Sequence, residues 1–403
     1  MSVDTRPDRR HLRVKPARPQ SHRVQQGPPF EQTVLLLQGG GALGSYQAGV
    51  YQALAEANLH PDWIAGVSIG AINAALIAGN PPEQRVARLR EFWEAVSTSP
   101  LGPFSVPYLA SVEINDAFTH ALVNQARALW IALLGAPGFF KPRVPSPLLF
   151  PFLGLEALSH YDVTPLRETI ERRVDFERLN ASSTRLSVGA VNVRTGNLTY
   201  FDNTMQKIRL EHVVASGSLP PGFPATNIDG EYYWDGGIVS NTPLQWVVDS
   251  RPRKDTLAFQ IDLWSARGGL PRDLTELEVR EKEIRFSSRT RQGTDRYKYE
   301  QKLRKAASNL LKRLPKEMKS DPDFKLLERE ADDKVCNLVH LIYRSKSYEG
   351  MAKDYEFSRR TMEEHWESGY DDAMTSLRHP EVLQRPDNPE GIRIFDLGNS
   401  AEN

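Results

Sequence analysis

Order in the chain begins with a short apolar run, Thr33-Val34-Leu35-Leu36-Leu37, bounded by glycines. It is too short for a helix and predicts a buried parallel strand. After the stretch Gly39 to Gly44, the spacing from about Tyr46 to Ala57 predicts a helix ended by Asn58 and Pro61. Trp63-Ile64-Ala65-Gly66-Val67 reads as a second strand, and Ala71 to Ala78 as an Ala-rich helix stopped by Gly79 and Pro81-Pro82. Strand, glycine turn, helix, strand, tight turn, helix is the start of an α/β fold with a mainly parallel sheet and right-handed crossovers. Arg185–Val193 and Leu198–Phe201 flank Thr195-Gly196-Asn197 and predict a hairpin. Further strands are expected at Thr256–Leu263 and Val335–Tyr343. A last helix carries Met362, Trp366, Tyr370, Ala373 and Leu377 on one face and stops before Pro380.

Two segments break this rhythm. In 99–157, prolines and aromatics crowd both ends, and Ile114, Phe118, Leu122, Ala126, Leu129 and Leu133 mark one helix face, with Trp130 and Ile131 beside it. An insertion covering a site is expected there, or one that simply packs on the core. Residues 267–333 are charge-rich and read as mostly helical, solvated or partner-facing. The expected organisation is a disordered tail over 1–30, a catalytic domain over 31–265, and a helical extension over 266–403 whose strand and last helix rejoin the core.

Composition narrows the function classes. Lys+Arg and Asp+Glu both number 51, so no global field attracts polyanions and nucleic acid is not an expected partner. The one cysteine, Cys336, excludes an intramolecular disulfide framework and fits a reducing compartment; it is expected inside a strand. Residues 1–29 lack the apolar core of a signal peptide and read as a basic Arg/Pro/Gln-rich tail. No apolar run approaches the roughly 20 residues needed to span a bilayer. A cytoplasmic protein, peripheral at the membrane, is the expectation.

The chemistry lies in three pieces. Gly66-Val67-Ser68-Ile69-Gly70 is a G-x-S-x-G with a strand before it and an Ala-rich helix after it. In that setting the serine sits at a strained apex, and the glycines at 66 and 70 remove Cβ atoms that would clash in so tight a bend. Gly39-Gly40-Gly41 leaves backbone N–H groups free to converge on an oxyanion, where one donor is typically worth about 3 kcal/mol. The N–H of Ile69 is the other expected donor. The same glycines spell G-x-G-x-x-G, but a dinucleotide fold wants an acid at the end of the second strand, where Ser68 stands; Asp62 precedes that strand. The third piece is Trp234-Asp235-Gly236-Gly237, which taken alone reads as an ordinary Asp-Gly turn.

Together these pieces resemble the patatin-like phospholipase family. The resemblance takes in the loop at 39–44, the elbow at 66–70, Asp162-Val163-Thr164-Pro165-Leu166, Ala215-Ser216-Gly217-Ser218 with Pro220 and Phe223-Pro224, and Asp235-Gly236-Gly237 with Asn241 and Pro243. It implies a three-layer α/β/α architecture with a lid-like insertion and a helical C-terminal extension. It also implies a Ser–Asp dyad: Ser68 as nucleophile, Asp235 as base, and Gly39, Gly40 and Gly41 as the oxyanion hole, with no metal or cofactor. Leu43 stands where the family often has a cation, which weakens the expectation of a phosphate-bearing substrate. The expected activity is hydrolysis of lipid esters through an acyl-enzyme, with a lipid ester and a transient membrane surface as partners. A carboxylesterase, a storage-polyester depolymerase and a catalytically silent lipid-binding scaffold stay open as alternatives. So do His212 as a competing base and the oligomeric state.

Overall fold

The computed structural model describes residues 27–97, 130–131, 133–145, 154–345, 349 and 353–397. The basic tail up to residue 26 and the helix face expected from Ile114 to Leu129 lie outside these residues. In chain order the strands are β1 (Gln32–Leu37), β2 (Trp63–Val67), β3 (Lys141–Pro142), β4 (Tyr161–Asp162), β5 (Arg185–Asn192), β6 (Leu198–Asp202), β7 (Thr226–Ile228), β8 (Glu231–Asp235), β9 (Thr256–Asp262), β10 (Cys336–Ile342) and β11 (Ile392–Asp396). The α-helices are α1 (Ser45–Glu56), α2 (Ile69–Ala78), α3 (Pro82–Val96), α4 (Thr164–Glu171), α5 (Phe176–Ala181), α6 (Leu210–Ser216), α7 (Leu244–Asp249), α8 (Leu274–Leu311), α9 (Pro322–Glu330) and α10 (Arg359–Leu377).

Nine strands form one sheet in the order β11-β10-β9-β1-β2-β5-β8-β7, with β6 paired to β5. The run from β11 to β5 is parallel, while β6, β8 and β7 are antiparallel additions. Period-two alternation divides the core. Leu35 and Leu37 face the layer of α1, α2, α3 and α10, whereas Val34 and Leu36 face Leu244 of α7 and Tyr297 of α8. This is a three-layer α/β/α fold, and the expected hairpin, the strands near 256 and 336, and the last helix all form.

Three features were not anticipated. The edge strand β11 extends the sheet beyond β10. The hairpin β7–β8 turns at Asp229-Gly230, whose φ angles of 53° and 91° match a two-residue turn with both central residues left-handed. The 38-residue helix α8 is not merely solvated. Ser287, Thr290, Thr294, Tyr297, Gln301, Arg304 and Ser308 form a buried stripe at helical spacing. That stripe is mostly polar, satisfied by contacts such as Thr290 to Thr242 (2.7 Å) and Gln301 to the Lys334 carbonyl (2.7 Å), so a search for apolar periodicity passes over it.

Helix α10 lies against α1 with two glycines at the crossing. A Cβ on Gly49 would collide with the Trp366 carbonyl, and one on Gly369 with the Tyr46 carbonyl. Trp366 and Tyr370 hydrogen-bond Gln52 and Glu56 across the same seam (2.7 Å each). Alanine normally improves a helix by about 1 kcal/mol over glycine. Gly369→Ala is expected to reverse that sign and lose about 1–3 kcal/mol through overpacking, read as a lower urea midpoint. An unchanged midpoint would show that the two helices need not approach so closely.

Candidate active site

Strand register brings Ser68 and Asp235 together. β5 pairs with β2 through its first half, ending at Val67 opposite Gly189, and with β8 through its second half, beginning at Ala190 opposite Asp235. Two residues distant in sequence therefore leave adjacent strand ends at one edge of the sheet. Ser68 turns the chain from β2 into α2 with φ 57° and ψ −128°, a conformation a non-glycine residue holds only under constraint. The constraint is visible. The Ser68 N–H donates to Ser216 Oγ (2.9 Å), which in turn donates to the Gly189 carbonyl (2.6 Å). A Cβ on Gly66 would meet the backbone of Gly70 and Ala71, and one on Gly70 would meet the Leu37 carbonyl. Both elbow glycines are thus required by backbone contact, as their spacing predicts.

Asp235 is buried, and burial pushes its carboxyl up to about 7. Hydrogen bonds from the Ser68 hydroxyl and from the Gly237 N–H (2.7 Å) pull the other way without overcoming desolvation. The Asp235 N–H donates to the Ser218 carbonyl (3.0 Å), and Gly236 packs where a Cβ would strike the Gly189 carbonyl. The Ser-Gly-Ser segment after α6 and the paired glycines after Asp235 therefore serve to hold the two strand ends.

The glycine loop sits beside this pair at the end of β1. Gly39 packs against Ser68 and Asn241, and its carbonyl accepts from Asn241 Nδ2 and Trp264 Nε1 (2.9 Å each). Gly41, with φ 55°, has no room for a Cβ against the Asp354 carbonyl, which accepts the Ala42 N–H at 2.7 Å. The three glycines are not equivalent. Gly39 donates its N–H to the Asn241 carbonyl (3.3 Å), so it is spoken for. Among the described residues, the N–H groups of Gly40, Gly41 and Ile69 have no such partner. This corrects the expectation that all three glycines offer donors.

Ser68, Asp235, Ile69 and Gly39 to Gly41 line one cavity of about 840 Å³. One wall is aromatic: Phe139, Phe140, Tyr161, Phe223 and Phe357 pack with ring centroids 4.6–6.3 Å apart. Phe139 and Phe140 belong to the insertion and are buried, whereas Trp130 is 55% exposed. The lining also includes Lys282, Arg285 and Phe286 from α8, and Asp354 and Tyr355 before α10. Sequence reasoning missed these residues. His212 lies elsewhere: it is buried at the start of α6, its Nδ1 accepts the Arg209 N–H (2.8 Å), and burial lowers its pKa. It does not line the cavity. Asp62 accepts the Thr33 N–H at the opposite end of the strands (2.7 Å). Cys336 is buried in β10, its thiol pushed up to about 12 by burial. Among the described residues no group of three His, Cys, Asp or Glu is placed to hold a metal, and no helix is long and apolar enough to cross a membrane.

A strained serine on a strand-to-helix elbow, a buried carboxylate and an adjacent glycine loop thus converge at one place on an α/β sheet. The family model described as Patatin-like phospholipase matches residues 35–247, just over half of the chain, and the chain belongs to that family. A second model, described as Patatin phospholipase, matches residues 284–389. An uncharacterized NTE family protein of Mycobacterium tuberculosis is 40% identical over 77 residues, 19% of this chain and 13% of that protein. A patatin-like phospholipase domain-containing protein of Coccidioides immitis is 46% identical over 55 residues, 14% of this chain and 8% of the relative. The chain thus aligns with only a small part of these relatives' length. Among solved structures, VipD from Legionella pneumophila aligns over 92% of this chain and 72% of its own, at 16% identity and a TM-score of 0.36.

Proposed function

We propose that the chain is a lipid acyl hydrolase working through a Ser68–Asp235 dyad. The observation that carries this reading is Ser68, on a strained backbone turn, with its hydroxyl beside a buried carboxyl raised to about 7, in a cavity with an aromatic wall. An ordinary aspartate, near 3.9, is a poor base toward a hydroxyl. Raised to about 7, Asp235 is about half ionised at neutral pH, and its ionised form is a better base than an ordinary aspartate. Asp235 takes the Ser68 proton as Oγ attacks the ester carbonyl. The oxyanion is received by the N–H groups of Gly40, Gly41 and Ile69, with the start of α2 adding its positive end. Collapse expels the alcohol, which takes the proton from Asp235 and leaves an acyl group on Ser68. Water, activated by Asp235, then releases the acid. No metal or cofactor enters these steps.

The aromatic wall suits an acyl chain, and the exposed Trp130 suits transient contact with a membrane surface, as a peripheral cytoplasmic enzyme would make. On a p-nitrophenyl ester series, kcat/KM is expected to climb by about ten-fold or more from butyrate to decanoate, since burying even two of the added methylenes contributes about 1.6 kcal/mol. A flat or falling profile would point to a small-ester carboxylesterase instead.

A further inference from the structure

The cavity has a second, charged wall that comes from outside residues 35–247. Lys282 and Arg285 stand one turn apart on the same face of α8, and Asp354 lies on the segment leading to α10. Lys282 Nζ donates to both Asp354 carboxylate oxygens (3.0 and 3.1 Å), so that pair neutralises itself. Arg285 is exposed and has no carboxylate partner among the described residues. The remaining charged lining group is Asp235, on the floor. Arg285 is therefore a cation of the cavity lining that stands outside any ion pair among the described residues. The glycine loop offers no cation of its own, because Leu43 is completely buried.

This charge is held in register with the reacting atoms. The Asp354 carbonyl accepts the Ala42 N–H (2.7 Å), joining the charged wall to the glycine loop. Phe286, next to Arg285, packs on Trp264 (5.2 Å), whose indole donates to the Gly39 carbonyl (2.9 Å). The turn of α8 that carries Arg285 is thereby docked on the loop beside Ser68.

We propose that Arg285, flanked by the Lys282–Asp354 pair, forms a subsite for the phosphate of a lipid headgroup, and so selects phosphate-bearing lipids over neutral glycerides. The assignment rests on the hydrolase reading above. A guanidinium presents a planar fork of donors matched to phosphate oxygens, and pairs with them more strongly than a neutral donor does. The acyl chain would then lie against the aromatic wall, with the headgroup at the mouth.

Dihexanoyl phosphatidic acid and dihexanoylglycerol carry the same acyl chains and differ in the phosphate, so the ratio of their kcat/KM values isolates the subsite. Arg285→Gln is expected to lower that ratio by about ten-fold, mainly through KM for the phosphatidic acid. Arg285→Glu should lower it further, and Arg285→Lys should recover part of it. A ratio unmoved by Arg285→Glu overturns the assignment. Isothermal titration of dihexanoyl phosphatidic acid into Ser68→Ala, with and without Arg285→Glu, reads the subsite without catalysis. Arg285-dependent binding, together with a wild-type chain that cleaves neither substrate, would refute the hydrolase reading and leave the subsite standing. Binding that ignores Arg285 would do the reverse. Inorganic phosphate separates the sources. Weak competition against phosphatidic acid alone fits a headgroup site, whereas an Arg285-dependent effect of free phosphate on dihexanoylglycerol cleavage would make it a site for the free anion and overturn the headgroup assignment.

Discussion

Ser68→Ala is expected to abolish ester hydrolysis, with kcat falling on the order of 10⁵-fold, the scale seen when a nucleophile is removed from a unit that acts together. The fold should survive. Ser68 is anchored through its backbone N–H to Ser216, a bond that alanine keeps, and only the hydroxyl's bond to Asp235 is lost. Some strain at φ 57° remains with alanine, so stability should change little. Circular dichroism and an unfolding midpoint would verify that the loss is chemical. Residual activity above about 1% of wild type would mean that another group attacks the ester.

Asp235→Asn is expected to cost nearly as much activity and to make the protein more stable at alkaline pH. The catalytic part follows from removal of the base. The stability part follows from the raised pKa. A carboxyl whose folded pKa lies at about 7, above its unfolded value, contributes stability that is fully present below the unfolded pKa and is lost as pH rises through about 7. At pH 8 the wild type therefore bears the whole cost of a buried charge, on the order of 4 kcal/mol at most. Asparagine accepts the same Gly237 hydrogen bond without carrying that charge. The midpoint difference between variant and wild type should be near zero at pH 4 and reach a plateau of several degrees above pH 7. Asp262 is also buried and raised to about 7, but it lies outside the cavity and is common to both proteins, so the comparison cancels it. A variant whose midpoint advantage over the wild type is no larger at pH 8 than at pH 4 would mean that Asp235 is not held near neutrality.

Much of this site was legible in the sequence because backbone sterics write themselves in glycine. Gly66, Gly70 and Gly41 each stand where a Cβ has no room, and the run Trp63–Val67 before Ser68 could only be a strand entering a turn. Asp235 was legible only through the company of its neighbours, although a local signal existed. Ile228-Asp229-Gly230-Glu231 is a two-residue hairpin turn, and reading it would have placed Asp235 at a strand end rather than on a surface turn. Two things were not legible. Helix α8 buries a polar stripe, which hydrophobic periodicity cannot detect. The contribution of Lys282, Arg285 and Asp354 depends on long-range docking, with Asp354 reaching the glycine loop across more than 300 residues through a main-chain carbonyl that any residue would supply. The edge strand β11, Ile392–Asp396, has only three apolar residues, broken by Arg393, and is too short to stand out.

The site's logic is a division of labour across the chain. In the proposed mechanism residues 35–247 provide nucleophile, base and oxyanion donors, with most of the aromatic wall. The rest of the chain adds strands to the sheet, braces the glycine loop and supplies the charged side chains of the cavity lining.

The central claim, that Asp235 activates Ser68, is tested most directly by the rate at which a fluorophosphonate forms a covalent adduct, followed across pH and mapped by peptide mass spectrometry. The account predicts one adduct, on Ser68, forming at a rate that rises with an apparent pKa of about 7 and collapses in Asp235→Asn. An adduct on another residue, or a Ser68 adduct whose rate is indifferent to Asp235→Asn, would contradict it.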